Sequence, residues 1–145
     1  MTTINTSRIA PKVIAKQITS LPTTTQNIFV ITNGPIQILD LVGFVEESIV
    51  GTSYTNLYRI SASSNSNFSN AFTISGVNAG TMIDFITPFD TPTSGRPFLT
   101  PYTSTGIFVS SGVVQVVPSG TPTSGQYSIL MTYVPLSPNC IVTVA

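Results

Sequence analysis

Apolar and polar residues alternate with a period of two along most of this chain, as in strands that bury one face. Turn residues separate these stretches, and no segment holds a 3.6-residue period over 11 positions. The predicted strands are 27–32, 35–45, 56–62, 70–75, 81–87, 106–110, 112–117, 126–134 and 140–144. This spacing predicts an all-β fold: an antiparallel sandwich, jelly roll or barrel-like domain.

Several connections have recognisable turn chemistry. Asn33-Gly34, between two predicted strands, is typical of a type I′ hairpin. The sequence Thr-Pro-Thr-Ser-Gly stands at 91–95 and again at 121–125, which indicates two equivalent turns rather than a solenoid repeat. The proline-rich stretch 88–105 is predicted to be a long loop of functional or interfacial importance.

The predicted strand 35–45 is apolar on both of its alternating faces. Such a strand is either central in a sheet or part of a subunit contact. The candidate interface residues are Ile36, Ile38, Leu39 and Leu41. Asp40 lies on the face of Ile36 and Ile38 in this reading, so its carboxylate needs a partner or a solvated edge.

Composition limits the classes of partner. The 145 residues suffice for one domain, and only 7% of them are charged, with a net charge of zero. This balance argues against general electrostatic binding of nucleic acid or of an acidic membrane. Neutral hydroxyl groups replace the missing charge, because 40 residues are Ser or Thr, and zero net charge favours association. No apolar run has the length of a secretory signal or membrane span, so we expect a protein made and kept in solution.

The basic residues are concentrated near the start of the chain. Arg8, Lys12 and Lys16 lie in a stretch without acidic residues. Pro11 interrupts any helix there, so the segment is predicted to be an extended arm or an edge strand. We expect an arm over 1–25 and a β-domain over 26–145. The three cations either contact an acidic surface of a partner or only keep a tail in solution.

The sequence provides little catalytic chemistry. It has no histidine and one cysteine, Cys140, which argues against Ser-His-Asp and Cys-His systems and against His/Cys metal sites. No phosphate-binding glycine motif occurs. Paired carboxylates remain, and Asp40 and Asp84 are flanked by apolar residues, which makes them the first suspects for a raised pKa. We predict no enzyme, no catalytic residue, no cofactor and no metal, and an inert thiol at Cys140.

The tyrosines allow one alternative, a carbohydrate-binding module with exposed aromatic platforms. The candidates are Tyr54, Tyr58, Tyr102, Tyr127 and Tyr133. Against this reading, the chain has no tryptophan, and tyrosines commonly fill the rim of a core with their hydroxyl groups in water.

The layout resembles one family, the small β-rich decoration (cement) proteins on capsids of tailed bacteriophages, cyanophages among them. The resemblance covers most of 19–145. The segments that carry it are 34–39 (GPIQIL), 43–45 (GFV), 55–57 (TNL) and 133–138 (YVPLSP).

The resemblance implies a homotrimer on the major capsid protein, at the outer surface of the virion, assembled in the host cytoplasm. It implies that the protein clamps neighbouring capsid subunits where hexamers meet, against internal DNA pressure. Arg8, Lys12 and Lys16 would then pair with acidic capsid groups, and neither nucleic acid nor a membrane is an expected partner. A tail- or fibre-associated structural protein is the alternative.

Overall fold

A computed structural model of the protein describes residues 10–63, 65–67, 69, 71–85 and 107–145. These residues form strands and connections and contain no helix, which confirms the all-β prediction. The strands are β1 (Lys12–Ile18), β2 (Gln26–Thr32), β3 (Ile36–Ser61), β4 (Asn65–Asn67), β5 (Phe72–Thr73), β6 (Met82–Asp84), β7 (Ile107–Val109), β8 (Gly112–Pro135) and β9 (Ile141–Val144).

Two long antiparallel strands, β3 and β8, form the backbone of the fold. They pair from Ile36 opposite Pro135 to Ser61 opposite Val113. All but one of their register shifts fall in residues 45–55 of β3, and bulges of this kind bend a ribbon. Gly120 lies in the bend with a φ of 83°, and a Cβ there would lie 2.2 Å from the carbonyl oxygen of Ser53. The bend therefore requires glycine at this position.

The bent ribbon produces two packed layers from one continuous sheet. The first layer contains β1, the C-terminal half of β8, the N-terminal half of β3, and β6 and β7 at its edge. The second layer contains β9, β2, the N-terminal half of β8, the C-terminal half of β3, and β4 and β5 at its edge. The described strands form a sandwich that is not closed into a barrel.

The core lies between the two layers and is rich in Ile, Val and aromatic residues. Tyr58 of the second layer packs its ring 4.4 Å from that of Phe85, which follows β6 of the first layer. Phe72 meets Phe85 edge-on at 5.6 Å. These stiff β-branched and aromatic side chains suit a pleated, half-buried surface, which is why the chain forms strands throughout.

The N-terminal segment is an edge strand where the structure describes it. Residues of β1 pair with β8 from Lys12 opposite Tyr133 to Ile18 opposite Tyr127, and Ile18 is buried. The sheet therefore begins at Lys12, inside the range expected for an arm over 1–25. Periodicity could not separate an arm from a strand here, because β1 is half exposed.

The structure tests two of the predicted turns. The prediction of a hairpin at Asn33-Gly34 is wrong, because β2 and β3 do not pair with each other. Strand β2 pairs with β8 and β9 in the second layer, β3 begins in the first layer beside the other half of β8, and residues 33–35 cross between the layers. Asn33 has a φ of 55°, but Gly34 lacks the positive φ that a type I′ turn requires. The second Thr-Pro-Thr-Ser-Gly copy, 121–125, belongs to the bend of β8. The first copy and the proline-rich stretch lie outside the described residues.

Candidate functional site

The outward side of β3 is set by a bulge. Its register with β8 shifts between Ile38 and Asp40, so Ile36 and Ile38 share the inner side with Leu41 instead of Asp40. Ile36, Ile38 and Leu41 have no exposed surface, and the prediction that they form a subunit interface is wrong. Leu39, also predicted to lie there, is the half-buried extra residue of the bulge.

The first layer instead has a row of apolar side chains on its outer side. Beyond the bulge, Val42 lies opposite Leu130 and Leu130 opposite Ala15. In the next row Phe44 lies opposite Met82. We define the outer face as the residues Val13, Ala15, Val42, Phe44, Met82 and Leu130. Periodicity alone does not reveal this face, because the register decides which apolar residues point outwards.

The members of the outer face differ in how much surface they leave to solvent. Val13 is 62% exposed, Met82 66% and Phe44 39%, while Val42 and Leu130 are half-buried. Single exposed apolar residues are ordinary on protein surfaces, but Phe44 and Met82 are cross-strand neighbours, and so are Val42 and Leu130, with Cβ atoms about 4.5–5.5 Å apart. Val13 lies at the border of the face, opposite Thr132. A row of neighbouring apolar side chains on an outer surface makes this face a candidate interaction site.

A polar triad borders one end of the outer face. The Glu46 carboxylate accepts hydrogen bonds from Gln17 Nε2 at 2.5 Å and from Ser128 Oγ at 2.6 Å. These two bonds lower the pKa of Glu46, because they favour its ionised form. The triad joins β1, β8 and β3 by their side chains, and the carboxylate is already satisfied within the chain.

Two acidic residues lie at the other end of the outer face. Asp84 of β6 is opposite Val42, and its side chain is within hydrogen-bond reach of Asp40. Burial, and next the charge of Asp84, raise the pKa of Asp40, although a hydrogen bond from Leu41 N, at 2.9 Å, acts in the opposite direction. In the sequence, each of the two residues is a candidate for a raised pKa on its own. Their pairing depends on the β3–β6 register, which periodicity does not reveal.

The predicted capsid-binding cations have different positions. Lys16 Nζ donates to the backbone oxygens of Asn27 at 3.0 Å and Ala145 at 2.9 Å, which connects the edges of the two layers. Its ammonium group is therefore committed within the chain, which corrects the expectation that it faces a partner. Lys12 is exposed, and Arg8 lies outside the described residues.

The described tyrosines that were candidates for sugar platforms are buried. Tyr54, Tyr58 and Tyr127 are at most 1% exposed, Tyr133 is 8% exposed, and Tyr102 lies outside the described residues. These four tyrosines belong to the core, and the hydroxyl groups of Tyr54, Tyr58 and Tyr127 form hydrogen bonds within it. These four tyrosines therefore do not form the exposed platforms that the carbohydrate-binding alternative requires.

Three of these tyrosines surround one buried amide. Asn56 Nδ2 donates to the Tyr127 hydroxyl at 2.7 Å, and the Tyr58 and Tyr127 hydroxyls lie 3.2 Å apart. The Tyr54 hydroxyl donates to the Pro22 carbonyl oxygen at 2.7 Å. Burial raises the pKa of Tyr127 to about 12, and it also raises those of Tyr54 and Tyr58. We call Tyr54, Asn56, Tyr58 and Tyr127 the buried polar cluster.

The residues that the structure describes offer few other groups for catalysis or metal binding. Cys140 is a free, half-buried thiol, and burial raises its pKa, which disfavours the reactive thiolate. Within the described ranges, no three His, Cys, Asp or Glu side chains come together as metal ligands. The same part of the chain has no helix with the length and apolar character of a membrane span.

Comparison with known proteins gives little. No family model and no curated protein matches the chain. Among solved structures, a chain of the infectious bursal disease virus Gx strain aligns with 92% of this chain at 15% identity and a TM-score of 0.30. This chain spans 39% of that chain. At this TM-score the likeness supports no conclusion about fold or function.

Proposed function

We propose that the protein is a non-enzymatic structural protein of a virus particle, which decorates and stabilises the capsid by binding the major capsid protein as a homotrimer. The observation that carries the proposal is the outer face. An apolar patch on a single chain is unfavourable in water, and its burial contributes about 25 cal/mol per Å² of apolar surface. A protein that works in an assembly can cover this face permanently.

The charge distribution supports a role in assembly more than one in catalysis. The chain has a net charge of zero, so copies do not repel each other at long range. Glu46, which borders one end of the outer face, is hydrogen-bonded within the chain, and Asp40 and Asp84 lie at the other end. We assign this face to the contacts between the three subunits.

Attachment to the capsid is assigned to residues 1–12, which end at the first residue of β1. Arg8 and the exposed Lys12 are the cations of this segment, since Lys16 is bonded within the chain. Three copies of this segment in one trimer increase the effective concentration of each contact, so modest single affinities give tight attachment.

The test of the trimer is sedimentation of the full chain at micromolar concentration. We expect a trimer for the wild type and a folded monomer for the double variant Phe44→Ser/Met82→Ser. The control is Ile141→Ser, since Ile141 is a 54% exposed residue of β9 in the other layer. A monomeric wild type, or a double variant that remains trimeric, contradicts the assignment of the outer face.

Attachment is tested by co-sedimentation with particles assembled from the major capsid protein of the same virus. The wild type should sediment with the particles, and a chain without residues 1–9 should not. Electron cryomicroscopy of intact virions then distinguishes the capsid from the alternative, a tail or fibre location. Density on the tail alone would contradict capsid decoration.

A further inference from the structure

The connection between β2 and β3 contains a chemically reactive dipeptide, Asn33-Gly34. Asn33 is the one asparagine of the chain that precedes a glycine. Because glycine has no Cβ, the backbone nitrogen of Gly34 is less hindered than that of any other residue type with an N–H. This nitrogen can therefore reach the side-chain carbonyl carbon of Asn33 more readily than the nitrogen that follows any other asparagine of the chain.

The fold requires both residues for structural reasons. Asn33 has a φ of 55°, a left-handed conformation that asparagine adopts more readily than most residues other than glycine. A Cβ on Gly34 would clash with the carbonyl oxygen of Ser110. Neither residue can be exchanged freely where the chain crosses between the layers, so the fold itself retains the reactive pair.

The surroundings of the pair determine how fast it reacts. Asn33 is exposed, so water reaches its side chain. The Gly34 N–H donates to the Ser111 hydroxyl oxygen at 3.2 Å. This hydrogen bond stabilises the protonated nitrogen and holds it in place, whereas an attack on Asn33 requires the nitrogen to lose its proton and to turn towards the side chain. Ser111 therefore slows the reaction in the folded protein.

We propose that Asn33 is a site of spontaneous deamidation and that Ser111 limits its rate. The Gly34 nitrogen attacks Asn33 Cγ, an N–Cγ bond forms, and the Cγ–Nδ2 bond breaks. The amide proton of Gly34 passes to a solvent base, and the leaving amide nitrogen takes up a proton from water and departs as ammonia. Water then opens the resulting succinimide at one of its two carbonyl groups and produces aspartate or isoaspartate.

The two products differ from the original chain in charge and in backbone length. Both carry a new carboxylate, which adds one negative charge to a chain whose net charge is zero. Isoaspartate also adds one carbon atom to the main chain beside Gly34, where a Cβ would already clash. The isoaspartate form should therefore unfold at a lower urea concentration than the aspartate form. This modification goes beyond capsid decoration and does not depend on it.

The experiment follows the folded full chain during incubation at mildly alkaline pH over several weeks. Mass spectrometry of proteolytic peptides measures conversion at each asparagine, and ion-exchange chromatography separates the more acidic product. We expect Asn33 to convert faster than any other asparagine, and Asn33→Asp to abolish the dominant change in mass. The wild type should convert faster still at Asn33 when it is unfolded in urea, because the hydrogen bond to Ser111 is then lost.

Variants test the contribution of Ser111. Ser111→Ala should raise the rate at Asn33 about fivefold, since one ordinary hydrogen bond no longer has to be broken. Ser111→Thr retains the acceptor and should keep the wild-type rate, which separates loss of the bond from loss of stability. Ser110→Ala is the matched control, because it leaves the backbone around Gly34 and the bond to Ser111 in place. An unchanged rate in Ser111→Ala, or another asparagine that converts first, would overturn the proposal.

Discussion

The buried polar cluster and the outer face reverse the usual arrangement of polar inside and apolar outside. Inside, Asn56 and the Tyr127 hydroxyl bond to each other across the two layers. Outside, Phe44 and Met82 lie side by side in solvent. The comparison shows that burial alone does not identify function. The inner hydroxyl groups and the Asn56 amide nitrogen are hydrogen-bonded within the chain, whereas the outer apolar groups lack such cover among the described residues.

The strand β1 contributes to both regions, so its removal has the largest expected effect. It supplies Ile18 to the core and Val13 to the outer face. Deleting residues 1–18 should reduce the free energy of unfolding by on the order of 5 kcal/mol, because buried Ile18 and half-buried Ile14 are lost and β8 becomes an open edge.

Deleting only residues 1–9 is the control, since every strand described here remains. Urea denaturation followed by circular dichroism measures both truncations. If the 1–18 deletion unfolds at the wild-type midpoint, β1 is a dispensable arm and not part of the sheet.

The second-largest expected effect on stability comes from removing one aromatic ring, and it should differ between the buried polar cluster and the outer face. Tyr58→Ala removes a fully buried ring that packs on Phe85, and it should cost about 3–5 kcal/mol of stability. Phe44→Ala, at a 39% exposed residue, should cost less than about 1 kcal/mol and weaken self-association instead. Denaturation and sedimentation of both variants test this contrast, which fails if Phe44→Ala is the more destabilising change.

A smaller effect concerns the hydrogen bonds of the buried polar cluster. Tyr127→Phe keeps the ring but leaves the Asn56 amide without its acceptor, which should cost about 1–3 kcal/mol. Adding Asn56→Leu should recover part of this loss, because both partners are then apolar, and because Asn56 Oδ1 already has no hydrogen-bond partner among the described residues. A double-mutant cycle measures the coupling, and strict additivity would show that the two groups do not interact.

The sequence predicted the class of fold because alternation and β-branched residues report it directly. It placed β2 and β9 to within one residue at either end, but it divided β3 and β8 into shorter strands. The residues between those pieces, 46–55 and 118–125, carry turn residues that the structure uses for bulges and a bend. Local turn chemistry cannot distinguish a bent strand from a loop, since both require the same backbone freedom.

The candidate site was harder to predict for a related reason. One extra residue near Leu39 changes which side chains face the core, so Val42 and Phe44 became the outward residues of β3. The Asp40–Asp84 pair depends on the register between β3 and β6. The tyrosines were assigned to the surface or rim because tyrosine usually keeps its hydroxyl group in water, whereas here the hydroxyl groups bond to buried partners.

The acidic pair gives the smallest expected effect, a pH dependence of stability. The pKa of Asp40 is raised in the folded protein above its ordinary value of 3.8. The folded state therefore binds more protons than the unfolded state between these two values, and stability should rise as the pH falls through this window. The carboxyl group is partly solvated, so screening keeps the effect below about 1 kcal/mol.

Asp40→Asn should accordingly stabilise the protein at neutral pH and remove the rise on acidification. Glu46→Gln is the matched control at the opposite end of the outer face. Because the pKa of Glu46 is lowered, its contribution is present above 4.5 and is lost as the pH falls further. Thermal denaturation between about pH 3.5 and 8 measures both variants. The chain has no histidine, so the melting temperature should be nearly flat from about pH 6 to 8. An Asp40→Asn variant that is less stable at neutral pH, with the wild-type acid profile, would show that the carboxylate is held by a favourable contact, and the acidic pair would not be a source of destabilisation.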